Sequence, residues 1–315
     1  MDLAATLPSE HPRPHPFFEA RGETLTVNSR SFGPLSLHVR TWSAPRAEGE
    51  PERPPLLLIH GLMTSSYTWR DVIAPLGRHF TLYMPDLPGS GQSPPLAAKA
   101  DPEQLGFLIE DLQKALGHKR CPVVASDLGA YLAMRTVLGK RRGKPSISRL
   151  ACIHPPTGPE PWQYLLKLLL QLPGARDLLG WAVRSSPDAW LRTLLKLHTP
   201  GLMSLEMINQ YAPLLSSTAG SRAFVDTIAD TLDPNALETF HASLRLFNFT
   251  ERRFPTPTLF IYGDSDAIIP PAHGDHIEQF MPDAKVIRVV GSSRLVQLDA
   301  PDRLVAYLLE FLKEA

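Results

Sequence analysis

The chain has 315 residues, 43% hydrophobic and 20% charged, an ordinary globular composition that suits one large α/β domain or a core with an inserted cap. Its 32 Lys and Arg balance 32 Asp and Glu, so no basic excess points to nucleic acid and no acidic run suggests a tail. No stretch approaches the roughly 18 uncharged apolar residues of a spanning helix, the opening residues lack signal-peptide character, and two cysteines make no disulfide framework. A soluble, cytoplasmic protein with reduced thiols at Cys121 and Cys152 is expected.

In chain order, residues 1–22 are rich in Pro and His and are expected to form a disordered or loosely attached tail. Thr24–Ser29 and Leu35–Trp42 alternate like antiparallel strands joined at Gly33-Pro34. Leu56–His60 is an uninterrupted apolar run ending in Gly61, as in a strand buried on both faces of a parallel sheet. Phe80–Pro85, Pro122–Ala125, Leu150–Ile153, Thr258–Tyr262 and Val286–Val290 read the same way. Helical patterns alternate with them at Tyr67–Leu76, Asp101–Leu116, Gly129–Leu138, Pro271–Phe280 and Pro301–Leu312, two of them started by Pro in the first turn. Such alternation predicts a parallel sheet covered by helices on both faces.

One segment breaks the alternation. Residues 157–249 look wholly helical and are read as an inserted cap, leaving 23–156 and 250–315 as the core. Pro161–Leu172 and Trp190–Leu197 are Leu-rich and amphipathic, and Leu168-Leu169-Leu170 is read as packing inside the cap rather than touching a membrane.

Several local motifs converge. Leu57-Leu58-Ile59-His60-Gly61 is a strand running into a His-Gly turn, and Thr64-Ser65-Ser66-Tyr67-Thr68-Trp69 opens the next helix. Pro85-Asp86-Leu87-Pro88-Gly89-Ser90-Gly91-Gln92-Ser93 and Gly263-Asp264-Ser265-Asp266 each follow a strand. In this order and spacing the chain resembles the α/β-hydrolase superfamily from about residue 24 onward. The resemblance implies a mostly parallel eight-stranded sheet with helices on both faces and an inserted helical cap.

In that superfamily the nucleophile sits on a strained strand-to-helix turn of pattern G-x-S-x-G, with small residues two before and two after. Here the stretch is Val124-Ala125-Ser126-Asp127-Leu128-Gly129. Ser126 as nucleophile would put Val124 and Leu128 at the crowded places; Asp127 puts Ala125 and Gly129 there. Steric economy selects Asp127. A carboxylate at that place can attack an sp3 carbon, displacing halide or opening an epoxide, as haloalkane dehalogenases and epoxide hydrolases do within this superfamily. Thr64–Arg70 resembles the same stretch of the dehalogenases. The resemblance implies that the backbone N–H groups of Leu62 and Leu128 form the oxyanion hole, and that Asp266 is the triad carboxylate.

The base departs from the pattern. In the loop Gly291-Ser292-Ser293-Arg294-Leu295, the histidine position is taken by Arg294. Arginine stays protonated and cannot take a proton from water near neutral pH. His154, at a strand end, is the best spare base; His60 belongs to the His-Gly turn; His273 and His276 are expected to face solvent; His198 and His241 lie in the cap. The dehalogenase Trp and halide Asn positions hold Leu128 and Leu62. Tyr164 and Tyr211 are the cap tyrosines that could serve an epoxide. Met63, Leu165, Leu169, Trp181, Trp190 and Leu194 are expected to shape a small apolar pocket. No H-e-x-x-H-type spacing and no cofactor loop appears, so no metal or cofactor is expected.

Three functions follow from these residues. The first is a hydrolase with Asp127 as nucleophile, acting on a small apolar ester, epoxide or halide through an incomplete triad. The second is a lyase, cyclase or isomerase with Asp127 as general base and Arg294 holding an anionic group. The third is a catalytically silent ligand-binding protein in which Arg294 neutralises Asp127 and Asp266.

Overall fold

A computed structural model of the chain describes residues 13–97, 99, 101–139, 144–198, 204–250, 253–266 and 268–313, without the side chains of 193–198 and 247–248. A hairpin opens it: β1 (Arg21–Ser29) pairs antiparallel with β2 (Gly33–Trp42) around Gly33 at φ +73°. Next come β3 (Pro55–Ile59), α1 (Arg70–Leu76), β4 (Thr81–Pro85), α2 (Pro102–Ala115), β5 (Cys121–Ser126), α3 (Leu128–Leu138) and β6 (Ile147–Ile153). Six helices follow: α4 (Pro161–Leu170), α5 (Ala175–Ser185), α6 (Pro187–His198), α7 (Leu205–Ser216), α8 (Thr218–Thr231) and α9 (Pro234–Phe249). The chain then closes with β7 (Thr258–Gly263), α10 (Ala272–Phe280), β8 (Lys285–Val289), α11 (Val296–Asp299) and α12 (Pro301–Lys313).

The eight strands form one sheet in the order β1-β2-β4-β3-β5-β6-β7-β8, antiparallel at β1, β2 and β4 and parallel from there on. This is the α/β-hydrolase fold. The apolar runs are continuous because both faces are covered. Leu56 and Leu58 of β3 enter one core, with Trp69, Leu76 and Leu308, while Leu57 and Ile59 enter the other, with Leu132, Tyr131 and Leu112. Asp101 caps α2 by accepting from the N–H of Gln104 at 2.8 Å, and Pro102 opens the helix. Cys121 and Cys152, on the paired strands β5 and β6, are buried free thiols.

Three expectations about the surface need correction. The tail does not extend to residue 22: β1 begins at Arg21, and Phe17 is buried edge-on against Tyr67 with the Arg40 guanidinium over its ring. Residues 1–12 lie outside the described ones. Of the triplet Leu168-Leu169-Leu170, only Leu170 is internal. Helix α4 buries only Gln163 and Leu170, so Leu168 and Leu169 point outward, Leu168 with 61% of its surface exposed. His273 faces inward: it is 3% exposed, while His276 beside it is half-buried.

Candidate active site

The parallel strands deliver their C-terminal ends to one edge, and the site is assembled there. β5 turns into α3 at Asp127, whose φ of +51° and ψ of −119° lie outside the ordinary L-residue regions. Such a backbone costs about 1–3 kcal/mol and must be over-determined by its surroundings. Two glycines do this. A Cβ on Gly61 would lie 2.6 Å from Asp127 Cβ, and one on Gly129 would overlap the carbonyl oxygen of His60. The small residue two places after Asp127 is thus required by the approach of the β3 turn. Ser126 ends β5 with its hydroxyl fully buried and without a hydrogen-bond partner, whereas Asp127 lines a cavity.

Both oxygens of Asp127 accept hydrogen bonds. The N–H of Leu62 donates to Oδ2 at 3.1 Å, and Nη2 of Arg294 donates to Oδ1. Leu128 opens α3, so its N–H belongs to the unpaired first turn of that helix, beside the same carboxylate. Arg294 is 6% exposed, and its Nε is buried with no hydrogen-bond partner. The Asp127–Arg294 contact is therefore a single-point ion pair, with the guanidinium neither swung away from the carboxylate nor forked onto it. The loop that carries Arg294 is anchored by Asp299, which accepts from the N–H of Ser293 at 2.6 Å and from its hydroxyl at 2.5 Å.

Asp266 follows β7. Its Oδ1 accepts from the N–H groups of Ile268 (2.7 Å) and Ile269 (3.2 Å). Its Oδ2 lies 3.2 Å from Nδ1 of His154, off the line of a well-formed hydrogen bond, both side chains being fully buried. Burial alone would raise this carboxyl, but the His154 contact and the Arg294 charge outweigh it and bring Asp266 down to about 2. His154 is held below its ordinary value by burial. Its Nε2 accepts the N–H of Gly263, which places the ring proton on Nδ1, facing Asp266. Nε2 is thus occupied, and Nδ1 lies nearest Asp266 without a well-formed hydrogen bond to it. His60 is committed too: Nε2 accepts from the N–H of Leu87 at 2.9 Å, and Nδ1 meets the Gly61 carbonyl at 2.8 Å.

A cavity of about 410 Å³ lies over this edge, between the sheet and the helical insertion. Leu62, Met63, Asp127 and Arg294 form its floor. Trp162, Leu166, Leu179, Trp190, Phe224 and Ile228 contribute the apolar wall from the insertion, and Ile268 and Ile269 close the side behind Asp266. Across the cavity stands a second polar pair. His273 accepts the N–H of Thr157 at Nδ1 (3.1 Å) and so donates from Nε2 to Oε1 of Glu160 at 2.7 Å. The charged groups of the cavity are mutually paired, and the rest of its wall, apart from Gln163, is apolar, which favours an uncharged ligand.

Of the residues the sequence singled out, Asp127, Arg294, Leu62 and Met63 meet in this cavity, as does Trp190, while Leu128 and Asp266 lie beside it. His154 is packed beneath it against Asp266. Tyr164, Leu165, Leu169 and Trp181 are exposed and outside the lining, because α4 and α5 turn those positions outward. Tyr211 is buried edge-on against Tyr67, also outside the lining. His241 is half-buried with Nδ1 3.1 Å from the Thr157 carbonyl, and the side chains of Leu194 and His198 lie outside the described ones. Sequence reading missed His273, Glu160, Trp162 and the Ile268-Ile269 pair. Ile268-Ile269, two residues beyond Asp266, carried a usable signal: an apolar pair next to the acid.

The sequence profile described as "Alpha/beta hydrolase family" matches residues 56–307. "Epoxide hydrolase 3" of Xenopus tropicalis is 24% identical over 293 residues, covering 85% of this chain and 74% of that protein. "Pimeloyl-[acyl-carrier protein] methyl ester esterase" of Yersinia pseudotuberculosis is 23% identical over 263 residues, 82% of this chain and 93% of the esterase. Among solved structures, "Epoxide hydrolase CorEH without ligand" superposes with a TM-score of 0.75 at 19% identity, covering 94% of this chain and 99% of its own, a likeness of fold.

Proposed function

The chain belongs to the alpha/beta hydrolase family, and on that premise we propose that it is a hydrolase-like protein whose Asp127 attacks a small, uncharged, largely apolar electrophile of epoxide or alkyl-halide type. The observation that carries this reading is the placement of Asp127: it stands on the strained turn between β5 and α3, lines the apolar cavity, and has Oδ2 steadied by the N–H of Leu62 at 3.1 Å. A carboxylate oxygen forms a bond to an sp3 carbon while the C–O or C–halogen bond breaks. The electron pair leaves as alkoxide or halide, and the product is an alkyl ester of Asp127. The N–H groups of Leu62 and Leu128 then face the ester carbonyl, where they stabilise the oxyanion of a later attack by water.

That second step needs a base. Arg294 holds the histidine's place and remains a cation, and His154 has Nε2 occupied by the Gly263 N–H and Nδ1 turned to Asp266. The ester therefore outlives the first step, and turnover is slow. The two relatives above that are named epoxide hydrolases support the choice of electrophile. No tyrosine lines the cavity among the described residues, so the N–H groups of Arg294 are the donors next to an opening oxygen. Intact-mass measurement after exposure to a reactive terminal epoxide or primary alkyl bromide tests the reading, an adduct on Asp127 being the expected result.

A second reading, ligand binding without chemistry, is favoured by the contact of Arg294 with Oδ1 of Asp127, which satisfies the oxygen that would attack. Failure to form an adduct, together with a stoichiometric non-covalent ligand carried through purification, selects it.

A further inference from the structure

Helix α4 carries its larger apolar surface on the outward side. Its inward arc, Gln163, Leu166, Lys167 and Leu170, packs on the molecule. Its outward arc is Trp162, Tyr164, Leu165, Leu168 and Leu169, all exposed, and Leu172 continues it past the helix end. Leu178 and Trp181 of the neighbouring α5 extend the same exposure, at 66% and 57%. A helix with so many apolar side chains left in water is stabilised when that face is covered. Eight half-exposed large apolar side chains amount to roughly 800 Å², above the ~300–600 Å² of the largest patch on a typical monomer.

We infer that this face of α4 and α5 is the interface of a homodimer, its occupant being the same face of a second copy of the chain. Three features of the face select that occupant. The area matches the ~800 Å² that each partner contributes to a standard stable interface. The spacing is right for helix-on-helix packing: Trp162, Leu165 and Leu169 follow one another at 3 and 4 residues, the a and d spacing of a seam. The charge is right for self-association rather than for an anionic lipid surface. The only charged residue on α4 is Lys167, already paired with Asp233 at 2.6 Å. Arg176 is paired with Asp226 (3.1 Å) and Asp230 (3.2 Å), and Asp177 with Arg222, which among the described residues leaves Arg184 as a single uncompensated cation beside Trp181, far short of the polybasic cluster an anionic lipid surface attracts. Two like faces this sparsely charged meet about a two-fold axis with little repulsion.

The seam touches the candidate active site at one residue. Trp162 heads the exposed row and also lines the cavity over Asp127. A second copy seated on the seam closes that edge of the cavity.

Sedimentation velocity of the full chain across about 1–100 µM tests this. The expected result is a species of twice the 34.9 kDa chain mass, lost in the double variant Leu165→Glu, Leu169→Glu with the circular dichroism spectrum unchanged. Should that variant misfold, Leu168→Cys serves instead: Cys121 and Cys152 are buried, so a short bis-maleimide can join only the new thiols, and a covalent dimer is expected. A single 34.9 kDa species at every concentration, no cross-linked dimer, or a monomer that floats with phosphatidylcholine–phosphatidylglycerol vesicles overturns the inference.

Discussion

Arg294, on the loop after β8, donates through Nη2 to Oδ1 of Asp127 at the turn after β5, while Asp266, after β7, meets His154 at the end of β6 with 3.2 Å between Oδ2 and Nδ1. Asp266 thus has an imidazole partner, supplied from the end of β6, whose Nδ1 is turned to Asp266. The cation in the loop links the two carboxylates electrostatically.

Arg294→His puts a titratable base beside Asp127 in place of a permanent cation. General-base assistance is worth about 10²–10⁴ in rate when geometry is optimal, and an unoptimised graft should recover part of that. Decay of the Asp127 ester, followed by mass in single turnover, is expected to quicken by roughly 10–100-fold. An unchanged decay would mean that the loop position is not the proton-shuttle position. Arg294→Ala should cost on the order of 3–5 kcal/mol, because a buried carboxylate loses its partner.

Asp266 has its folded-state pKa depressed from 3.8 to about 2. Its contribution, about 2 kcal/mol in order of magnitude, is present above the unfolded value of 3.8 and lost as pH falls through about 2. Asp266→Asn is therefore expected to lower the denaturant midpoint at pH 7 and to narrow its difference from wild type as the pH drops from 4 toward 2. A constant difference over that range would show that the charge on Asp266 is not what stabilises.

His273 titrates in a higher window. Burial lowers its pKa, outweighing the attraction of Glu160. Its stability contribution is present above the unfolded value near 6.5 and falls away as pH drops below it, by up to about 1.4 kcal/mol per pH unit. His273→Gln keeps an acceptor for the Thr157 N–H and removes the proton, so its Tm should decline less than that of wild type between pH 7 and 5. Parallel declines would place His273 in a solvated environment.

Gly129→Ala tests the elbow. The added Cβ overlaps the backbone oxygen of His60, which has no rotamer to retreat into. A loss of roughly 1–3 kcal/mol or more is expected, read as a drop in Tm of several degrees. The same change at Gly117, where no atom lies within 4 Å, is strained only through its φ of +82°, and it should leave the Asp127 chemistry untouched.

The sheet was legible because its central strands are apolar on both faces and its first two alternate, and the predicted runs meet the observed strands within a few residues, as at Thr258–Tyr262 against Thr258–Gly263. Asp127 was legible because one tight turn tolerates only small flanking residues. The insertion was legible as helix but not as surface. Leu165, Leu169 and Trp181 look like pocket residues because α4 and α5 carry apolar side chains on several faces, and periodicity then gives no direction. His273 looked exposed because its inward turn depends on Thr157 and Glu160, more than a hundred residues away in the chain.

The central claim, that Asp127 is a working nucleophile despite Arg294, is tested most directly by intact mass. Wild-type protein and Asp127→Asn are incubated with an excess of a terminal epoxide at neutral pH and mapped by peptide. A stoichiometric adduct on Asp127, absent from the Asn variant and released far more slowly than it forms, is the predicted result. Wild-type protein that stays at its own mass while binding the same molecule reversibly would contradict it.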